Sequence, residues 1–251
     1  MLASISHGIP TDRSPLLIAH GLYGSARNWG AIAKRLSDSR QVTAVDMRNH
    51  GESAWSDSHG YPEMADDLAA MLDKRADVLG HSMGGKAVMT LALTRPDTVR
   101  RLIVADIAPV AYEHTQLPMI EAMQRVDLSQ VATRRDADEQ LAAWVEDPSV
   151  RAFLLQSLDV KAQRWRLNLD VLAKEMPKIM AFPELSGQFD GPALFLSGAE
   201  SDYVTRDHRA GIKAMFPNAH FAKIPGAGHW LHADQPRAFE AAVRAFLDAE
   251  M

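Results

Sequence analysis

The sequence predicts an α/β fold: a mostly parallel central sheet with flanking helices and one all-helical insertion. Three observations carry this. Short apolar runs alternate with helical patterns at βαβ spacing between Pro15 and Val104. That rhythm stops near Val110 and resumes at Pro192. Between those points apolar residues recur only at helical intervals.

Taken in order, residues 2–5 read as a short edge strand and 15–19 as a buried strand, since the latter run is wholly apolar. Trp29, Ile32, Ala33 and Leu36 then repeat at helical spacing. Residues 41–45 form the next strand, ending at Asp46, and the loop after it carries Arg48 and Asn49. Tyr61-Pro62-Glu63 opens a helix, because proline suits the first turn and an acid favours its positive end. Its stripe is Met64, Leu68, Met71 and Leu72. Strands follow at 76–79 and 99–104, the second leading into Asp106.

The insertion carries Met119-Ile120-Met123, Leu141-Ala142-Trp144-Val145, Phe153-Leu154-Leu158 and Trp165-Leu169-Leu172, all read as helical. After it come a strand at 192–198, a helix with Ile212, Met215 and Phe216, a strand at 219–224 and a helix at 236–248. The expected organisation is a core of residues 1–109 and 188–251, with 110–187 as a cap over the strand-end edge. His20, Asp46, Ser82 and Asp106 all follow strands, and open α/β sheets bind ligands at that edge.

Composition narrows the function. A net charge of −5 without any basic block argues against a nucleic-acid partner. The absence of cysteine excludes disulfides and thiolate chemistry. No apolar run approaches the length of a membrane span, and the start lacks a basic leader, so the expectation is a cytoplasmic protein. Metal-ligand spacings such as H-E-x-x-H are absent, so no metal and no cofactor are expected.

The chemistry centres on Gly80-His81-Ser82-Met83-Gly84, where an apolar run meets a helical pattern. G-x-S-x-G between strand and helix is the turn that presents a serine hydroxyl. The two glycines leave room where Cβ atoms would clash, and the new helix aims its N-terminus at the serine. The Met83 N–H is therefore a candidate oxyanion donor.

A serine hydroxyl needs a base, and the base needs an orienting acid. Among the late histidines, His208, His220, His229 and His232, His229 follows the last strand in a glycine-rich turn and is the candidate base. Asp106 and Asp202 both keep the order serine, acid, histidine, and both are also placed to cap turns.

Several further motifs are His20-Gly21-Leu22-Tyr23-Gly24-Ser25 with Asn28-Trp29, Asp46-Met47-Arg48-Asn49-His50-Gly51, Asp106-Ile107-Ala108-Pro109 and Ala227-Gly228-His229-Trp230. With the serine turn they make the chain resemble the α/β-hydrolase superfamily over nearly its whole length, and within it the esterase group of YbfF and ABHD11. The resemblance implies an α/β-hydrolase fold, Ser82 as nucleophile, His229 as base, and the N–H groups of Leu22 and Met83 as oxyanion donors. Many superfamily members carry the acid where this chain has Ser201, one residue before Asp202. The YbfF-like group carries it at the place of Asp106, which the resemblance favours, with Asp202 as the alternative.

The expected function is hydrolysis of small carboxylic esters or thioesters through an acyl-enzyme on Ser82. Alternatives on the same residues are perhydrolysis, C–C bond hydrolysis, lyase chemistry or a non-catalytic receptor. Tyr23, His81, Met119, Met123, Trp144 and Trp230 are candidate pocket walls, with Phe153 and Trp165 beside them. His20 and His81 are expected to brace loops, and Arg48 and Asn49 either to meet a polar substrate group or to serve structure.

Overall fold

The computed structural model describes residues 1–249. Its strands are β1 (Ser4–His7), β2 (Leu16–Ala19), β3 (Val42–Val45), β4 (Ala76–His81), β5 (Val99–Ala105), β6 (Leu158–Asp159), β7 (Arg164–Trp165), β8 (Ala193–Gly198) and β9 (Ala219–Ile224). Its α-helices are α1 (Gly30–Leu36), α2 (Tyr61–Ala69), α3 (Met83–Thr94), α4 (Leu117–Gln124), α5 (Arg134–Leu141), α6 (Pro148–Leu154), α7 (Leu169–Met180), α8 (His208–Met215), α9 (Leu231–Asp234) and α10 (Pro236–Asp248). Seven strands form one sheet in the order β1-β3-β2-β4-β5-β8-β9. The pair β1–β3 is antiparallel and the other pairs are parallel.

Burial explains the sequence pattern. β2, β4 and β8 are buried at every position, so they read as unbroken apolar runs. Alternate residues face opposite layers. Leu17, Val78, Leu102 and Val104 pack with α2 and α3 on one face. Ile18, Leu79, Ile103 and Ala105 pack with α1 and α10 on the other. β9 is an edge strand, and His220 on it is exposed.

Some boundaries differ from expectation. The first strand begins at Ser4, while Leu2 turns into the core. Met71 and Leu72 lie beyond the end of α2 and pack half-buried against the core.

The segment between β5 and β8 is not all-helical, which corrects the sequence reading. Leu158 pairs with Trp165 and Asp159 with Arg164 in a small antiparallel hairpin. Its turn is local chemistry that periodicity does not register: the Asp159 carboxylate accepts the Ala162 N–H, and Gln163 sits at φ +47. The Trp165 indole donates to the Met123 carbonyl at 3.0 Å, which fixes the hairpin on α4. Likewise α5 stops at Leu141, so Ala142, Trp144 and Val145 follow it. The apolar residues of this segment share one cluster with those of the sheet and α3.

A buried charge network joins the far ends of the strands. Asp77 on β4 accepts from Arg40 at 3.1 Å and from Arg100 at 2.7 and 2.5 Å, and its side chain has no exposed surface. Desolvation dominates on both sides: it pushes the Asp77 carboxyl up and the Arg40 guanidinium down. Such a network specifies an arrangement more than it stabilises one, but leaving one partner alone is costly. Asp77→Ala is therefore expected to lower unfolding free energy by about 3–5 kcal/mol in urea titration. Replacing Asp77 and Arg40 together by leucine and methionine should cost less than the single change.

Candidate active site

The site is built where β4 turns into α3. Ser82 holds φ +52 and ψ −119, a strained conformation for a residue with a side chain. The turn is possible because its neighbours lack Cβ atoms. A Cβ on Gly80 would lie 2.2 Å from the Gly84 carbonyl oxygen, and one on Gly84 would lie 2.4 Å from the Ala19 oxygen. The Lys86 N–H closes the first helical turn on the Ser82 carbonyl at 3.1 Å.

Ser82, His229 and Asp106 form one chain of hydrogen bonds. Ser82 Oγ donates to His229 Nε2 at 3.1 Å, and His229 Nδ1–H donates to Asp106 Oδ2 at 2.7 Å. A carboxylate can only accept, so the proton sits on Nδ1 and leaves the Nε2 lone pair to accept the Ser82 hydroxyl. Asp106 is fully buried at the end of β5, at φ +53. Its Oδ1 takes the Gly198 N–H at 3.0 Å and its Oδ2 also takes the Ser201 hydroxyl at 2.5 Å. Asp202 is exposed and makes no bond to His229 among the described residues. The Tyr203 ring stacks on the His229 ring with centroids 4.0 Å apart.

The loop after β2 runs beside Ser82. The N–H groups of Leu22 and Met83 have no hydrogen-bond partner among the described residues, and both residues line the cavity that contains Ser82. Two imidazoles hold the Leu22 peptides. His20 Nδ1–H donates to the Gly21 carbonyl at 2.8 Å, and its Nε2 accepts the Met47 N–H. A trans peptide points C=O and N–H in opposite directions, so this bond turns the Leu22 N–H away from His20. His50 Nε2 accepts the Tyr23 N–H at 3.2 Å, while its Nδ1–H donates to the Arg48 carbonyl. His81 Nε2–H donates to the His229 carbonyl at 2.8 Å and so braces the loop that carries His229.

The cavity has a volume of about 480 Å³. Tyr23, His81, Met119, Trp144 and Trp230 line it, as does Phe153. Met123 does not: it is fully buried between the hairpin and the main core, because its helix turns that face inward. Trp165 is likewise buried in the hairpin. Arg48 and Asn49 are structural. Arg48 bonds Asp67 and Ser58, and Asn49 is fully buried and bonds the Ser58 carbonyl. Lys86, Tyr112 and Tyr203 line the cavity without having been singled out. Tyr203 follows Asp202 directly, so the loop was in view but its stacking was not.

The comparisons with known proteins agree with this geometry. Residues 16–242 match the model of the alpha/beta hydrolase family. The chain belongs to the alpha/beta hydrolase family. It is 42% identical over 248 residues to the sn-1-specific diacylglycerol lipase ABHD11 of Mus musculus, covering 92% of this chain and 80% of that one. It is 38% identical to esterase YbfF of Escherichia coli K12, covering 94% of each. The solved structure of a marine microorganism esterase superposes with a TM-score of 0.92 at 39% identity, covering 98% of both chains. As in other alpha/beta hydrolases, the serine turn and the histidine lie at one edge of the sheet. No helix among the described residues is long and apolar enough to cross a membrane.

The buried imidazoles of this hydrolase site make stability depend on pH. Burial lowers His20 and His232 to about 4 and His50 to about 3. Below pH 6.5 the unfolded chain binds protons that the folded chain refuses, so stability is full above 6.5 and falls as pH drops toward 4. For His232 the loss should reach about 3 kcal/mol. His232 stacks on Trp29 at 4.3 Å, and its buried Nδ1 lacks a partner. His232→Phe should therefore flatten the fall of the urea midpoint between pH 7 and pH 4.5. An unchanged slope would remove His232 from the account.

Proposed function

We propose that the chain is a serine hydrolase of small carboxylic esters, with thioesters as a second leaving-group class. The observation that carries this is the unbroken relay Ser82–His229–Asp106, with links of 3.1 and 2.7 Å. The names of its relatives, esterase and lipase, support the ester bond as the one cleaved.

In this reading Ser82 Oγ attacks the carbonyl carbon as its proton passes to His229 Nε2. Asp106 keeps the imidazole in the required tautomer and stabilises its charged form. The unpartnered N–H groups of Leu22 and Met83 receive the oxyanion, each worth roughly 3 kcal/mol in comparable sites. His229 then protonates the leaving alcohol or thiol. Water attacks the acyl-enzyme by the same route, and no cofactor is required. Residues 110–187 act as the cap over the site. The mainly apolar cavity, about 480 Å³, falls within the usual range for small-molecule sites and suits an apolar stretch of acyl chain.

The test is hydrolysis of p-nitrophenyl esters from acetate to octanoate. Turnover should vanish in Ser82→Ala with the fold intact by circular dichroism, and wild-type rates in that variant would overturn the mechanism. Asp106→Asn should lower kcat by up to about 10⁴-fold, by analogy with other serine triads. Asp202→Asn should leave kcat near wild type. Comparable losses in both aspartate variants would contradict the assignment of the acid.

A further inference from the structure

Lys86 takes no part in the mechanism above, yet its side chain lies in the same cavity. It sits one helical turn after Ser82 on α3. Residues four apart share a helix face, and helical side chains lean toward the N-terminus, here toward Ser82. The residue is only 1% exposed, so a ligand can meet it only from inside the cavity.

Its ammonium is incompletely satisfied. Nζ donates to the Met180 carbonyl at 2.9 Å and to the Ala181 carbonyl at 2.7 Å, at the C-terminal end of α7. An ammonium has three N–H donors, so one remains. The Tyr112 ring centroid lies 4.8 Å from Nζ and the Tyr61 centroid 5.8 Å. Among the described residues no carboxylate lies within 4.0 Å of it, and the cavity acids Glu146 and Asp147 are exposed. Burial lowers its pKa to about 7, as expected for a cation without a counter-charge.

A buried cation with no anion is costly, and a purely apolar acyl group gives it nothing to bind. The helix-end carbonyls and the Tyr112 ring offset part of that cost, and they leave one N–H donor of the ammonium free. We propose that Lys86 is a specificity residue: it binds the free carboxylate of an acyl group derived from a short dicarboxylic acid, while Ser82 attacks the esterified end. This rests on the ester-hydrolase reading of Ser82. Ser82 and Lys86 are four residues apart, a backbone rise of about 6 Å, so a short linear diacid is the class that the experiment uses.

The experiment compares p-nitrophenyl butyrate with mono-p-nitrophenyl glutarate, in wild type and in Lys86→Met. Free glutarate is also titrated into both proteins by calorimetry. The ratio of kcat/KM for the glutarate ester over the butyrate ester should fall tenfold or more in the variant, and glutarate binding should disappear. A ratio unchanged within twofold overturns the proposal, because a lysine that only ties down α7 would move both substrates together. If wild type cleaves neither ester, the Ser82 reading fails and the titration alone decides. Glutarate binding lost in Lys86→Met then supports the anion site, and no binding to wild type overturns it. If Lys86→Met does not fold, Lys86→Gln keeps a donor for the α7 carbonyls while removing the charge, and gives the same comparison.

Discussion

The close approach of backbones around Ser82 is the constraint on which the site depends. β4 must end, reverse and enter α3 within a few residues while β2 passes alongside. Carbonyl oxygens of Gly84 and Ala19 occupy the places where Cβ atoms of Gly80 and Gly84 would stand. With those atoms absent, Ser82 can hold φ +52 and lift its hydroxyl above the sheet edge. The rest of the molecule serves to keep this strained turn in place. Sheet strands buried on both faces surround it, and α3 is buried along nearly its whole length.

Buried imidazoles tie the loops around that turn to one another. His20, His50 and His81 are buried, and each donates one ring N–H to a backbone carbonyl. His20 and His50 also accept a backbone N–H on the other nitrogen. A neutral imidazole is well suited to this, because it offers one donor and one acceptor on a rigid ring. The loops after β2 and β3 are thereby joined to each other, and the loop after β9 to the end of β4. Asp46 does the same for the outer loops, accepting the N–H groups of Ala26 and Glu52.

The strands of the large sheet were legible because full burial gives apolar runs with glycine or acid at their ends. The serine turn and His229 were legible because their roles demand particular residue types at particular strand ends. The small hairpin was not, since Leu158 and Trp165 fall at helical intervals while the turn between them is set by Asp159 and Gln163. Residue pattern left the acid open. Asp106 and Asp202 follow adjacent strands, and three-dimensional placement separates them: the Asp106 carboxylate is buried against Gly198 and reaches His229 at 2.7 Å, while Asp202 is exposed. The place of Lys86 in the cavity was not legible, because a lysine on a helix ordinarily reaches solvent.

The meeting of Ser201 and His229 on one oxygen of Asp106 carries a wider meaning. The Ser201 hydroxyl ends 2.5 Å from the carboxylate oxygen that holds the imidazole at 2.7 Å. One oxygen therefore ties the loop after β8 to the loop after β9. A displacement of the loop after β8 is therefore felt at the imidazole through a single shared atom.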